Sequence, residues 1–242
     1  MTSYGIQLYS VRDAMEKDVA STLKRIAEMG YKYVEFAGFF GHSAEEIRKM
    51  LDSTGLACSG THSNWEDLRP GKIMETVAYH KAIGNPYYIV PGARLDTLER
   101  IEDFCNVMNF AQPILLAEGI KLAFHNHSGE FEVMPWGSTI HSELEKRTSI
   151  DFEIDTYWAF NAGTDPIAVM DRLKSRIKVI HLKDGFKGGK GMPLGMGEAP
   201  LKRVIDYANA NGFTIVVESE TITPSGLEEA EICINYLKMQ GE

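Results

Sequence analysis

Several short apolar segments of this 242-residue chain finish in side chains that are costly to bury and able to ligate a metal. KLAFHNH supplies His125 and His127, SIDFEID supplies Asp155, IKVIHLKD supplies His181, Lys183 and Asp184, and TIVVESE supplies Glu218 and Glu220. Nearer the N-terminus the same pattern leaves Gln7, Glu35 and His62. Two imidazoles and two carboxylates, from His125, Asp155, His181 and Glu218, make a donor set for one divalent ion at about 2.0–2.3 Å. Such a set suits Mn, Fe, Co, Ni or Zn better than Mg or Ca. Any one of these residues alone is as readily a hydrogen-bonded polar cap; recurrence on four successive segments favours a shared task. An ion bridging a sugar carbonyl and its neighbouring hydroxyl acts as a Lewis acid, stabilising the enediolate left when a base removes the proton between them. Return of the proton to the adjacent carbon isomerises, return to the opposite face epimerises, and loss of a β-substituent makes the reaction an elimination.

These side chains need a scaffold that gathers many segment ends in one place. Candidate strands fall at 5–10, 33–38, 56–62, 87–92, 121–127, 149–155, 177–184 and 214–220. Helical periodicity fills 18–29, 43–54, 70–83, 96–118, 138–147, 165–175, 200–211 and 224–239. Strands alternating with helices give a parallel α/β sheet with right-handed crossovers. Eight such units can close, which predicts a single (β/α)8 TIM barrel domain over 1–242, with the site at the C-terminal ends of the strands. Neighbouring strands lie about 4.8 Å apart, close enough for adjacent ends to share one ion. An open doubly wound sheet is the rival, but no GxGxxG or Walker-type loop follows any strand. Ser43 with Glu46 reads as a capping box, and Asp165 before Pro166 as an N-cap with proline at the first helical position. Gly30, Gly55, Gly84, Gly119 and Gly212 read as helix C-terminal glycines. Pro113 is expected to kink or split the fourth long helix.

Composition narrows the function classes. The chain is 44% hydrophobic and 24% charged, with a formal net charge of −9 and no basic run, which argues against nucleic acid and anionic membranes as partners. Cys58, Cys105 and Cys233 lie far apart without a CxxC, so no disulfide framework is expected and a reducing cytoplasm fits. Neither a signal-peptide pattern nor an apolar run of about 20 residues is present in the sequence, so no membrane span is expected.

The segments FHNHSGEF (124–131), DTYW (155–158), HLKD (181–184) and VVESE (216–220), with CSGTHS (58–63) before them, resemble the sugar phosphate isomerase/epimerase superfamily. This is the xylose isomerase-like barrel group that includes inosose dehydratase, hydroxypyruvate isomerase, ketose 3-epimerases and endonuclease IV. The resemblance implies a metal held by one residue from each of strands five to eight, mapping onto His125, Asp155, His181 and Glu218, with Glu218 also the base. Manganese is the expected ion, with cobalt, iron, nickel, zinc or magnesium as alternatives. The sequence departs from the pattern at strand five, where many family epimerases carry a glutamate that is both ligand and second base. His125 removes that carboxylate. Glu130 is the obvious substitute, its rival reading being a solvated loop carboxylate. The loss tilts the expectation from plain epimerisation towards isomerisation or a keto-sugar lyase or dehydratase reaction.

Around that set, His62 and Lys183 are expected acid/base groups, and Gln7, Glu35, His127, Trp158 and Lys187 expected substrate contacts. Each has an ordinary alternative as a hydrogen-bonded histidine, a surface lysine or a packed aromatic. By the two-residue strand period His127 points the same way as His125, so either is a strand-five ligand. The Gly-rich stretch 187–199 reads as a lid or a backbone phosphate cradle. The negative net charge nevertheless favours a small neutral sugar or keto-sugar. A non-catalytic sugar-binding barrel is the rival of another class. A nuclease resembling endonuclease IV is disfavoured by the missing basic surface and extra ligands. Homo-oligomerisation follows from base rates.

Overall fold

A computed structural model describes residues 3–240. Its strands are β1 (Gly5–Gln7), β2 (Tyr33–Ala37), β3 (Ala57–His62), β4 (Tyr87–Val90), β5 (Lys121–His125), β6 (Asp151–Asp155), β7 (Ile177–Leu182) and β8 (Thr214–Val217). They pair in parallel in chain order, and β8 pairs with β1 to close the barrel. One principal helix follows each strand: Val19–Met29, Ala44–Thr54, Ile73–Ala82, Leu98–Ala117, Ile140–Arg147, Pro166–Leu173, Leu201–Asn211 and Gly226–Gln240. Their ends follow the sequence signals. Ser43 and Glu46 form both halves of a capping box, Asp165 caps with Pro166 behind it, and all five helix-terminating glycines have positive φ, from 68° to 107°.

Pro113 does not split the fourth long helix, one of the two outcomes expected for it. The helix Leu98–Ala117 runs through it as one element. A proline in a helix interior costs about 3 kcal/mol, but Ile101, Phe104, Val107, Met108 and Leu115 on this helix are buried. Each fully buried side chain of this kind contributes about 1.5–3 kcal/mol, so packing outweighs the lost hydrogen bond.

The strands also stop earlier than their apolar patterns suggest. β1 ends at Gln7, whose side chain accepts from Tyr9 N at 3.0 Å and starts a 3-10 turn over Leu8–Val11. Beyond β8, Ser219 N donates to Ser10 Oγ and Glu220 N to the Gly191 carbonyl. Side chains expected at strand ends therefore sit partly on the loops that rim the mouth.

Inside the barrel the residues form layers, as closed α/β barrels require. Tyr87, Ile89, Ala123, Val179 and Val216 make an apolar floor. Two residues further along their strands, on the same face by the period of a strand, come His125, His181 and Glu218. Register then sets neighbours across strands: Gln7 pairs with Glu35, Glu35 with Gly60, His125 with Glu153, and Asp155 with His181. Among the described residues no helix is long and apolar enough to cross a membrane. Cys58, Cys105 and Cys233 are buried and unpaired.

Candidate active site

The sequence-expected donors converge. One ligand atom from each of His125, Asp155, His181 and Glu218 lies within 4.8 Å of the others, and all four residues are buried. Asp155 divides its carboxylate between two tasks. Oδ1 accepts from Trp158 N at 2.8 Å and caps the short helix Thr156–Asn161, while the buried Oδ2 has no hydrogen-bond partner. His181 Nδ1 is likewise buried and unpartnered, 3.4 Å from a Glu218 oxygen and 3.9 Å from Asp155 Oδ2. Two orphaned lone-pair atoms facing one carboxylate are what a set of ligands presents to a cation.

Beneath this set lies a second polar tier that aims it. His181 Nε2 donates to Glu35 Oε1 at 2.8 Å, and Gln7 Nε2 reaches the same oxygen at 2.7 Å. His125 Nδ1 donates to Glu153 Oε2 at 3.1 Å, and His62 Nε2 reaches that oxygen at 2.8 Å. A carboxylate behind an imidazole fixes the tautomer and orientation of a ligating histidine, so His181 is left with Nδ1, and His125 with Nε2, for an ion. Gly60 makes room for this tier: a Cβ there would sit 2.6 Å from Ile89 Cδ1 and 3.0 Å from Glu35 Oε2.

His62, His125, Glu153 and His181 also satisfy the proximity needed for a metal cage. Their facing nitrogens are already bonded to Glu35 and Glu153. The upper set keeps Asp155 Oδ2 and His181 Nδ1 without hydrogen-bond partners. His125 and Glu218 line a cavity of about 320 Å3 together with Tyr9, His62, His127 and Glu220.

The charges are arranged to match. Burial holds the His125 imidazole well below its ordinary pKa, reinforced by His181 and His62, which favours its neutral form. Burial pushes His62 down to about 4. Burial raises Asp155 to about 7, with Lys183 opposing and Glu218 adding to the rise. Burial, then the neighbouring Glu35, hold the Glu153 carboxyl well above its ordinary value. Glu35 and Glu218 go the other way, because His181 with His62, and Lys183 with His181, outweigh the effect of burial. His181 is raised despite its burial by Glu153, Glu35 and Glu218. Binding a divalent ion to such a set releases protons. Lys183 carries the positive charge of the rim. Its Nζ lies 2.9 Å from Glu218, 2.8 Å from Glu220 and 3.7 Å from Asp155, over the Trp158 ring at 4.7 Å.

Other expected residues are placed differently. Gln7 and Glu35 are 0% exposed and lie under the histidines, bonded to each other and, through Glu35, to His181 and not on the cavity wall. β5 stops at His125, so the strand period does not extend to His127, which is exposed on the cavity wall and outside the donor set. Glu130 turns back to accept from His127 N at 2.8 Å and is not among the cavity's lining residues. Trp158 stands behind Lys183, and Lys187 is exposed with its Nζ 5.3 Å over the Phe160 ring. In the Gly-rich loop the N–H groups of Gly195, Gly197 and Ala199 donate to the Asp184 carboxylate. That carboxylate takes the place a phosphate would need.

One residue of this site, Glu153, was not singled out from the sequence. The signal for Glu153 was available: it lies two residues before Asp155 and so faces the same way. Replacing Glu153 with Gln keeps the shape but weakens the hold on His125 and His62. Loss of such an outer partner typically costs about 10–100-fold in metal affinity, and we expect that range for Glu153→Gln in competition titrations with a fluorescent chelator.

A closed (β/α)8 barrel with two histidines, an aspartate and a glutamate gathered at its C-terminal mouth has ligand-type side chains where the active sites of this architecture sit. The chain belongs to the xylose isomerase-like TIM barrel family, whose model matches residues 23–238. No curated protein matches it. A sugar phosphate isomerase/epimerase structure from Parabacteroides distasonis is 26% identical, with a TM-score of 0.86 and 98% of each chain covered. A probable 3-DHS dehydratase from Bacillus anthracis superposes with a TM-score of 0.76 at 11% identity, covering 98% of this chain and 99% of that one. An L-ribulose 3-epimerase superposes at 0.71 with 13% identity, over 99% of this chain and 94% of the other. The last two are likenesses of fold.

Proposed function

We propose that the chain is a divalent-metal-dependent enzyme that removes a proton beside the carbonyl of a small neutral keto-sugar, leading to isomerisation or β-elimination. The observation that carries this reading is the pair of buried, unpartnered atoms, Asp155 Oδ2 and His181 Nδ1, beside Glu218, which lines the mouth cavity. His125, Asp155, His181 and Glu218 would hold the ion, with manganese the favoured species. When bound, it would supply Lewis acidity towards a carbonyl and an adjacent hydroxyl oxygen.

The protein's own groups supply the rest. Lys183 and His181 keep Glu218 deprotonated, ready to ligate or to accept a proton. Glu220, outside the donor set but on the cavity wall, is a second carboxylate that Lys183 orients. The Lys183 ammonium is the proton donor nearest these acids. His62 adds an imidazole to the wall, its ring centroid 4.7 Å from that of His125. Glu218 and Glu220 both issue from the end of β8, and Glu130 is turned away towards His127 N. Epimerisation by opposed carboxylates therefore lacks its second base, which favours the other two outcomes. Among the described residues no lysine or arginine lines the mouth cavity, and Lys183 beside it is paired with carboxylates, which favours a neutral substrate over a phosphorylated one.

The test is hydrogen–deuterium exchange by NMR across a panel of keto-sugars in D2O, run on metal-loaded protein and after chelation. Exchange at the carbon next to the carbonyl that disappears on chelation is expected, and the product then distinguishes isomerisation from elimination. Stoichiometrically loaded protein that exchanges no proton on any keto-sugar would overturn the reading.

A further inference from the structure

The mouth cavity, at about 320 Å3, sits at the lower limit of ligand sites, which run from about 300 to 1,000 Å3. A second cavity of about 500 Å3 adjoins it, between the loop after β2 and the helix Ile73–Ala82. His62 lines both, and the consecutive residues Ala37 and Gly38 line the first and the second. The seam between them is thus made by one imidazole and two of the smallest residues. Gly38 has φ +86° and nothing within 4 Å of where a Cβ would stand, so no side chain fills the space beside it.

The geometry points to a substrate of two linked units, with the reacting keto-sugar in the mouth cavity, a second sugar-like ring in the adjoining cavity, and His62 beside the linkage. This rests on the mouth being the reactive site. The chemistry of the second cavity specifies its occupant. Asp67 and Lys72 pair at 3.1 Å, and Glu75 and Asn64 add further hydrogen-bonding groups. Phe39 and Tyr79 bring aromatic rings whose centroids are 4.5 Å apart. Carboxylates, an amide and an ammonium exchange hydrogen bonds with ring hydroxyls, and aromatic surface accepts the apolar C–H face of a sugar. A phosphate would meet two carboxylates against one lysine. A purely apolar group would leave the paired charges desolvated.

The test compares one keto-sugar with the same keto-sugar carrying a glucosyl unit, using metal-loaded wild type and two variants outside the reactive site, Thr76→Trp and Glu75→Ala. Thr76 and Glu75 both line the second cavity. The glucosylated compound is expected to have a kcat/KM at least about tenfold higher, mainly through KM. Thr76→Trp, which fills the second cavity, should abolish that gain and leave the monosaccharide unchanged, and Glu75→Ala should reduce it. Equal kcat/KM for the two compounds, or a gain that Thr76→Trp leaves intact, would overturn the proposal. If neither compound exchanges protons, the proposed reaction has failed independently. Calorimetric binding of the same pair then decides, tighter binding of the glucosylated compound that Thr76→Trp removes being the supporting result and equal binding the opposing one.

Discussion

Asp155→Asn should strip the protein of its divalent ion and lower kcat/KM on any substrate that the metal-loaded wild type turns over by about 10^3-fold, while leaving the fold intact. The substitution isolates one atom. Asparagine caps a helix as well as aspartate does, so the Trp158 N–H now held by Oδ1 keeps its acceptor, and only the unpartnered Oδ2 is lost as an anionic ligand. Lewis-acid assistance contributes several kcal/mol of transition-state stabilisation, and each 1.36 kcal/mol is a factor of ten. The metal-free protein should respond in the opposite sense. Burial raises the Asp155 pKa from 3.8 to about 7, so the fold binds this proton more tightly than the unfolded chain does. Its contribution to stability is complete at low pH and is lost as pH rises through that window. In chelator, Asp155→Asn should therefore melt at or above wild type at pH 8, with the difference closing towards pH 4. Metal content, kcat/KM and the two melting profiles check the three parts. A variant that retains one tightly bound ion would show that Asp155 is not a ligand.

Lys183→Met should produce the largest loss of stability of any single substitution at the mouth, provided the metal is removed. Lys183 is 0% exposed and pairs with Glu218 and Glu220. Gly191 leaves space for its stem, since a Cβ there would run into the lysine Cε. Methionine fills a similar volume but leaves the carboxylates without their cation. Breaking one side of a buried ion pair costs about 3–5 kcal/mol. At about 2–4 °C per kcal/mol for a chain of this size, the fall in Tm should be roughly 6–20 °C. Adding a divalent ion should restore more of the Tm to the variant than it adds to wild type, because the ion then neutralises Asp155 and Glu218. Equal melting of variant and wild type in chelator would show that Lys183 does not hold these acids together.

The four donors were legible because, in a closed parallel barrel, order along the chain is order in space. Polar residues closing strands five to eight are neighbours once the sheet closes, and the apolar alternation marks which face they share. The same logic made the helices legible: Ser43, Asp165 and the terminating glycines act within one turn of themselves, so their effect is local and survives any tertiary context.

Only the tertiary structure decided depth, pairing and competition. Whether Glu35 touches substrate or holds His181 depends on its height along the barrel axis, set by the register that pairs it with Gly60. Glu153 became a partner of His125 because β5 and β6 place the two side by side, a relation between strands that no single segment expresses. Glu130 was captured by a backbone N–H three residues before it, and Pro113 was carried through its helix by buried neighbours. The sequence by itself determined the types of group, their faces and their order, because those are properties of short periodic segments. The three-dimensional fold decided which atoms are left unpaired at the mouth, because that depends on how every nearby polar group, from whichever strand or loop, divides its hydrogen bonds.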